Sequence, residues 1–93
     1  MRERWWGGTG RRVPELAVEG DPVVPVDEAL VVEGVDDVQP IAEAFGVGRP
    51  VVVRASSAEE VRAALARPEV AAVLVPEERR ELLELDLTEL TYG

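Results

Sequence analysis

The sequence predicts a small α/β domain: a doubly wound, mainly parallel sheet of about four strands with helices on both faces. An N-terminal arm and short extended segments precede it. Three apolar runs, within residues 29–33, 50–54 and 70–75, are continuous rather than alternating, as in strands that a parallel sheet buries on both faces. Segments with helical periodicity separate these runs, which implies parallel strands joined by right-handed crossovers. Valine is abundant and aromatic residues make up only 4% of the chain, which favours a sheet over a helical bundle.

Length and charge divide the chain into two parts. Its 93 residues fit one domain, and we predict a flexible basic arm over residues 1–12 and a single α/β domain over residues 13–93. The arm carries a side-chain charge of +3, whereas the remaining residues carry −12. We expect this opposite charge to draw the arm onto the acidic body or onto a neighbouring subunit.

Several chemistries are excluded by composition. The chain has no Cys, His or Lys, so disulfides, thiol or histidine catalysis, the usual zinc sites and a catalytic lysine are impossible. We therefore predict no catalytic residue, no cofactor and no metal site. The net charge of −9 argues against nucleic-acid and membrane partners. No apolar stretch is long enough for a membrane span or leader, which predicts a cytoplasmic protein.

The first regular elements follow a proline-rich stretch. Residues 16–18 and 23–26 are predicted as short edge strands, with a hairpin turn at Gly20. The run at residues 29–33 predicts the first strand of the regular, alternating part. A helix is predicted over residues 38–45, with Phe45 among the side chains of its apolar face.

The second half alternates more clearly. A strand is predicted within residues 50–54, a helix after Ser57 and another strand over residues 70–75. Proline and two glutamates at Pro76 and beyond predict the first turn of a short third helix. Residues 82–90 alternate leucine with polar residues, which favours a terminal strand over a continued helix.

Two pairs of residues follow predicted strands, where the ligands of such sheets bind. Asp36 and Asp37 resemble the paired acids with which response-regulator receiver domains bind a divalent cation, or they cap the helix that follows. Ser56 and Ser57 precede a helix and can hold an anion on backbone N–H groups. Each also stands three residues before a glutamate, which predicts overlapping capping boxes.

The arm supplies the candidate interaction residues. Trp5 and Trp6 lie near Arg11 and Arg12 in a glycine-rich segment. Such a group can stack on nucleic-acid bases, but packing against the domain or a protein partner is the more ordinary role of exposed tryptophan. We therefore interpret these four residues as a protein-interaction surface.

A family resemblance extends over about 65 residues from Ala29 onward. The element order, a strand that ends in Glu-Gly-Val-Asp at residues 33–36, the helix start at 57–61 and the segment 73–78 resemble the small, doubly wound regulatory subunit of V/A-type ATPases. The resemblance implies an accessory subunit. Our main hypothesis is a non-enzymatic interaction or regulatory module that self-associates, and the alternative is a small-ligand or nucleotide sensor that binds at the strand C-termini.

Overall fold

The computed structural model describes residues 3–34 and 38–84 of the chain. The strands are β1 (Glu3–Trp5), β2 (Arg12–Pro14), β3 (Leu16–Val18), β4 (Leu30–Val32), β5 (Val51–Arg54) and β6 (Ala72–Val75). The helices are α1 (Val38–Gly46), α2 (Ala58–Leu65) and 3-10 helices at Val26–Glu28 and Glu77–Glu84. Strands β3 to β6 form a four-stranded parallel sheet in the order β3-β6-β5-β4, which confirms the predicted small α/β fold.

One face of the sheet carries the helices. The chain moves in a single direction across the sheet from β4 to β5 to β6, so right-handed crossovers place α1 and α2 on the same side. The core on this helical face contains Val51 and Val53 of β5, Val73 and Val75 of β6, Ile41 and Ala44 of α1, Val61, Ala64 and Leu65 of α2, and Leu82. The helices therefore pack on one face, whereas the sequence predicted them on both.

The second face is covered mainly by extended chain. The connection from β3 to β4 crosses the sheet in the opposite direction, and apart from the 3-10 helix Val26–Glu28 it contains no helix. The core on this face contains Val52, Ala72 and Leu74 of the central strands, Ala17 of β3, and Trp6, Val13, Val24 and Ala29. The N-terminal segment thus takes the place of the helices that the sequence predicted here.

Two predicted strands differ from the structure. Residues 23–26 form a turn that leads into a 3-10 helix, because prolines interrupt the segment and the Val23 N–H donates to Asp21 Oδ1 at 3.0 Å. Residues 82–84 belong to a 3-10 helix rather than to a terminal strand, and Leu82 enters the helical-face core. The rest of that predicted strand lies outside the described residues.

Candidate functional site

The N-terminal segment folds into a β-hairpin on the body. Strands β1 and β2 pair antiparallel, and the Trp6 N–H donates to the Arg11 carbonyl at 2.7 Å. Thr9 Oγ1 donates to the Trp6 carbonyl at 2.6 Å and stabilises the turn. Residues 3–12, which belong to the segment predicted as a basic arm, thus form β1, the turn and the first residue of β2.

Arg4 joins this hairpin to the end of α2. Its guanidinium donates to the carbonyls of Leu65 at 2.6 Å, Val70 at 3.0 Å and Arg67 at 3.2 Å. The last carbonyls of a helix have no partner within the helix and carry its negative dipole end, so a cation stabilises them. Arg4 Nε also lies 3.0 Å from the buried carboxylate of Glu15. The sequence pattern indicated Arg4 only as part of the basic arm.

Gly7 brings the hairpin turn against the loop that precedes β5. The Gly8 N–H donates to the Gly48 carbonyl at 2.8 Å. A Cβ atom at Gly7 would lie 2.4 Å from the Gly48 oxygen and 2.8 Å from the Pro50 nitrogen, and Gly7 has a φ of +55°. Only glycine fits this approach without a shift of the backbone.

The two adjacent tryptophans have different environments. Trp6 is fully buried in the core on the second face of the sheet, hereafter the second core, whereas 61% of Trp5 is exposed. The alternating burial of β1 directs Arg4 inward and leaves Glu3 and Trp5 outside. The Arg12 guanidinium lies 5.2 Å from the centre of the Trp5 ring, within the range of a cation–π interaction.

Trp5 borders a groove of about 540 Å³ at the N-terminal edge of the parallel sheet. Its lining includes Glu3, Trp5, Arg12, Phe45, Pro68 and Val70, and we call it the Trp5 groove. Phe45, predicted on the buried face of α1, is 55% exposed, although Ala44 in the same turn is buried. Helical periodicity alone did not separate Phe45 from the buried Ile41 and Ala44.

The charges around the Trp5 groove differ in their partners. Arg11 pairs with Glu28 at 2.5 Å, and Arg67 lies 3.5 Å from Glu69. Arg12 and Glu3 form no ion pair within residues 3–34 and 38–84. The groove therefore offers an apolar wall, and at its rim Arg12 and Glu3 carry charges that no ion pair within the described residues neutralises.

A second cleft, of about 350 Å³, lies at the opposite, C-terminal edge of the sheet. Glu19 follows β3 and Glu33 follows β4, and both carboxylates contact Arg54 at the end of β5, Glu33 at 3.4 Å. The neighbouring strands β3 and β6 are followed by connections that cover opposite faces of the sheet. The C-terminal edge between them is therefore a topological switch point, where sheets of this kind bind ligands.

Ser56 lines this cleft, and the adjacent Ser57 is the N-cap of α2. Ser57 Oγ accepts a hydrogen bond from the Glu60 N–H at 3.1 Å and donates to Glu60 Oε1 at 3.2 Å. The Ser56 N–H and hydroxyl both donate to the same carboxylate oxygen at 3.1 Å. These bonds lower the pKa of Glu60, the Ser56 N–H contributing most. The Glu60 carboxylate thus occupies the position that a bound anion would take.

The remaining predicted ligand-binding residues, Asp36 and Asp37, lie outside the described residues. Within the described residues, no cluster of three or more His, Cys, Asp or Glu is arranged to hold a metal ion. None of the helices over residues 3–34 and 38–84 is long and apolar enough to cross a membrane.

No protein-family model, no curated protein and no solved structure matches this chain.

Proposed function

We propose that this protein is a non-enzymatic interaction module that binds another protein chain through the Trp5 groove. One observation carries the proposal: Trp5 and Phe45, each more than half exposed, border the same groove. Exposed aromatic side chains that share a concave surface are typical of the residues that dominate protein–protein binding energy.

The groove is built on a supported framework. Arg4 ties β1 to the end of α2, and Gly7 and Gly8 contact the loop at Gly48. A surface that is already ordered before binding loses less conformational entropy on association. The contacts beneath Trp5 therefore favour binding without an ordering step.

The rim defines the chemistry of the partner. An apolar side chain suits the wall that Trp5 and Phe45 form, and a carboxylate suits the guanidinium of Arg12, which forms no ion pair with the described residues. We therefore expect a partner surface with an apolar centre and an acidic group beside it.

The experiment compares the double variant Trp5→Ala/Phe45→Ala with the matched control Val23→Ala/Val26→Ala. The control residues are exposed apolar side chains outside the groove lining. Wild type and both variants are immobilised to capture binding partners. Each captured protein chain is purified, and its Kd for wild type and for each variant is measured. The protein itself is included as a candidate partner. We expect at least one chain whose Kd rises about tenfold or more for the groove variant but not for the control. If no chain distinguishes the two variants, the proposal is wrong.

The C-terminal cleft supports the second candidate, a small-ligand sensor. Glu19, Glu33 and Glu60 outnumber Arg54 in its lining, so its charge suits a cationic ligand better than a nucleotide. A thermal-shift panel of polyamines, divalent cations, nucleotides and small acids tests this candidate. Stabilisation by an amine that Glu19→Gln/Glu33→Gln removes would support it. The accessory role implied by the resemblance to V/A-type ATPases stays a prediction.

A further inference from the structure

We propose that the partner of the Trp5 groove is a second copy of this chain, paired groove to groove about a two-fold axis. This inference rests on the proposed function, because it names the occupant of the same surface. Two-fold pairing brings one patch against itself, so the patch must be complementary to its own image.

The rim of the groove meets that requirement. Glu3 lies at one end of β1, opposite Pro14, and Arg12 lies at the other end, opposite Trp5. A two-fold axis in the interface, perpendicular to the strands of the ribbon, exchanges the ends of the two ribbons and brings Glu3 of each copy toward Arg12 of the other. Two oppositely charged pairs then flank a centre formed by Trp5 and Phe45 of both copies.

The other ionic contacts of this region support the choice of those two residues. Arg4, Arg11 and Arg67 each have a glutamate of their own chain within 4.0 Å, namely Glu15, Glu28 and Glu69. Glu3 and Arg12 are the charged residues of the groove lining that form no ion pair with the described part of their own chain. The charges that a second copy would neutralise are thus still available.

The distribution of charge across the whole chain favours the same surface. Residues 13–93 carry a formal charge of −12, so two copies repel each other when their bodies approach. The first 12 residues carry a charge of +3, and most of the hairpin that borders the groove belongs to them. Two copies therefore repel each other less when their hairpins meet than when their acidic bodies meet.

Charge reversal tests the two-fold geometry. The variants Glu3→Arg and Arg12→Glu each place like charges opposite each other in a homodimer, so we expect each alone to dimerise at least about tenfold more weakly than wild type. Mixed one to one, the two variants again present opposite charges at both positions and should form a heterodimer. Sedimentation equilibrium measures the dissociation constants, and native mass spectrometry of the mixture identifies the heterodimer. Circular dichroism confirms that both variants are folded.

Each outcome has a distinct consequence. Loss of dimer in the single variants and its recovery in the mixture would establish the pairing. A wild-type protein that stays monomeric up to about 1 mM would overturn the inference. So would dimers that are insensitive to reversal, or single variants that the mixture does not rescue. In those cases the proposed function still stands if another chain binds with the dependence on Trp5 and Phe45 described above, and it fails if none does.

Discussion

Arg4 Nε lies 3.0 Å from Glu15 Oε1, and this ion pair joins β1 to the residue between β2 and β3. Only 2% of the Glu15 side chain and 11% of the Arg4 side chain are exposed. Arg4 also donates to the carbonyl of Leu65 at the end of α2 and to those of Arg67 and Val70 in the following loop, so one side chain connects the hairpin, the helix and the start of β3. The surface that presents Trp5 depends on this connection.

Removal of one partner of this pair should destabilise the fold. We expect Arg4→Met or Glu15→Gln to lower the free energy of unfolding by about 3–5 kcal/mol, because a buried charge loses its partner. The double variant Arg4→Met/Glu15→Met should lose less than the sum of the single variants. Urea unfolding measures the cycle, and additive losses would show that the pair is not coupled.

Substitution of Trp6 should affect mainly stability, and substitution of Trp5 should affect mainly binding. Trp6→Ala should cost about 3–5 kcal/mol, because it leaves a cavity in the second core. Trp5→Ala should change stability by less than about 1 kcal/mol, since its ring is mostly exposed, and should weaken association instead. Thermal unfolding and sedimentation of both variants check this division, and a large loss of stability in Trp5→Ala would contradict it.

Gly7 and Gly10 form a matched pair for the close approach of the hairpin turn. Both have positive φ, but a Cβ at Gly10 meets nothing within 4 Å, whereas one at Gly7 meets the Gly48 and Pro50 backbone. Gly10→Ala should therefore cost about 1–2 kcal/mol from the backbone conformation alone. Gly7→Ala should cost clearly more, as measured by urea unfolding. Equal losses would mean that the turn moves away from Gly48 without penalty.

The cap of α2 should respond to substitution at Ser57. Ser57→Ala removes the acceptor of the Glu60 N–H and should lower the free energy of unfolding by about 1 kcal/mol. Ser56 makes no such bond to the helix backbone, so Ser56→Ala serves as the control and should cost less. A larger loss at Ser56 would contradict this assignment of the cap.

The same cap should be sensitive to acid through Glu60. Hydrogen bonds from Ser56 lower the pKa of Glu60 below its ordinary value of 4.5, so the ionised carboxylate stabilises the folded state at neutral pH. This contribution is lost as the pH falls through the lowered pKa. We expect the difference in Tm between wild type and Glu60→Gln to shrink on acidification. A difference that does not change with pH would show that the charge of Glu60 is not involved.

Part of the candidate surface was predictable and part was not. The charge of the first 12 residues indicated contact with the acidic body, and two adjacent tryptophans indicated an aromatic contact. The role of Phe45 was not predictable, because the helical periodicity that buries Ile41 and Ala44 gives no reason to expose its neighbour. The carbonyl partners of Arg4, at the end of α2 and in the loop that follows it, lie more than 60 residues away in the chain, so no local pattern identifies them.

The sequence by itself determined where the central strands lie and where α2 begins. Local backbone preference, burial and capping act through the valine run of β5, the mixed apolar run of β6 and the serine–glutamate spacing at Ser57. These effects need few distant contacts. Only the tertiary structure decided which of Trp5 and Trp6 is buried, that α1 and α2 share one face, and that Arg4 meets the end of α2. Those outcomes depend on the order of the strands and on contacts between distant segments. Because crossovers are right-handed, the direction in which a connection crosses the sheet determines which face it covers, and the residues within the connection do not.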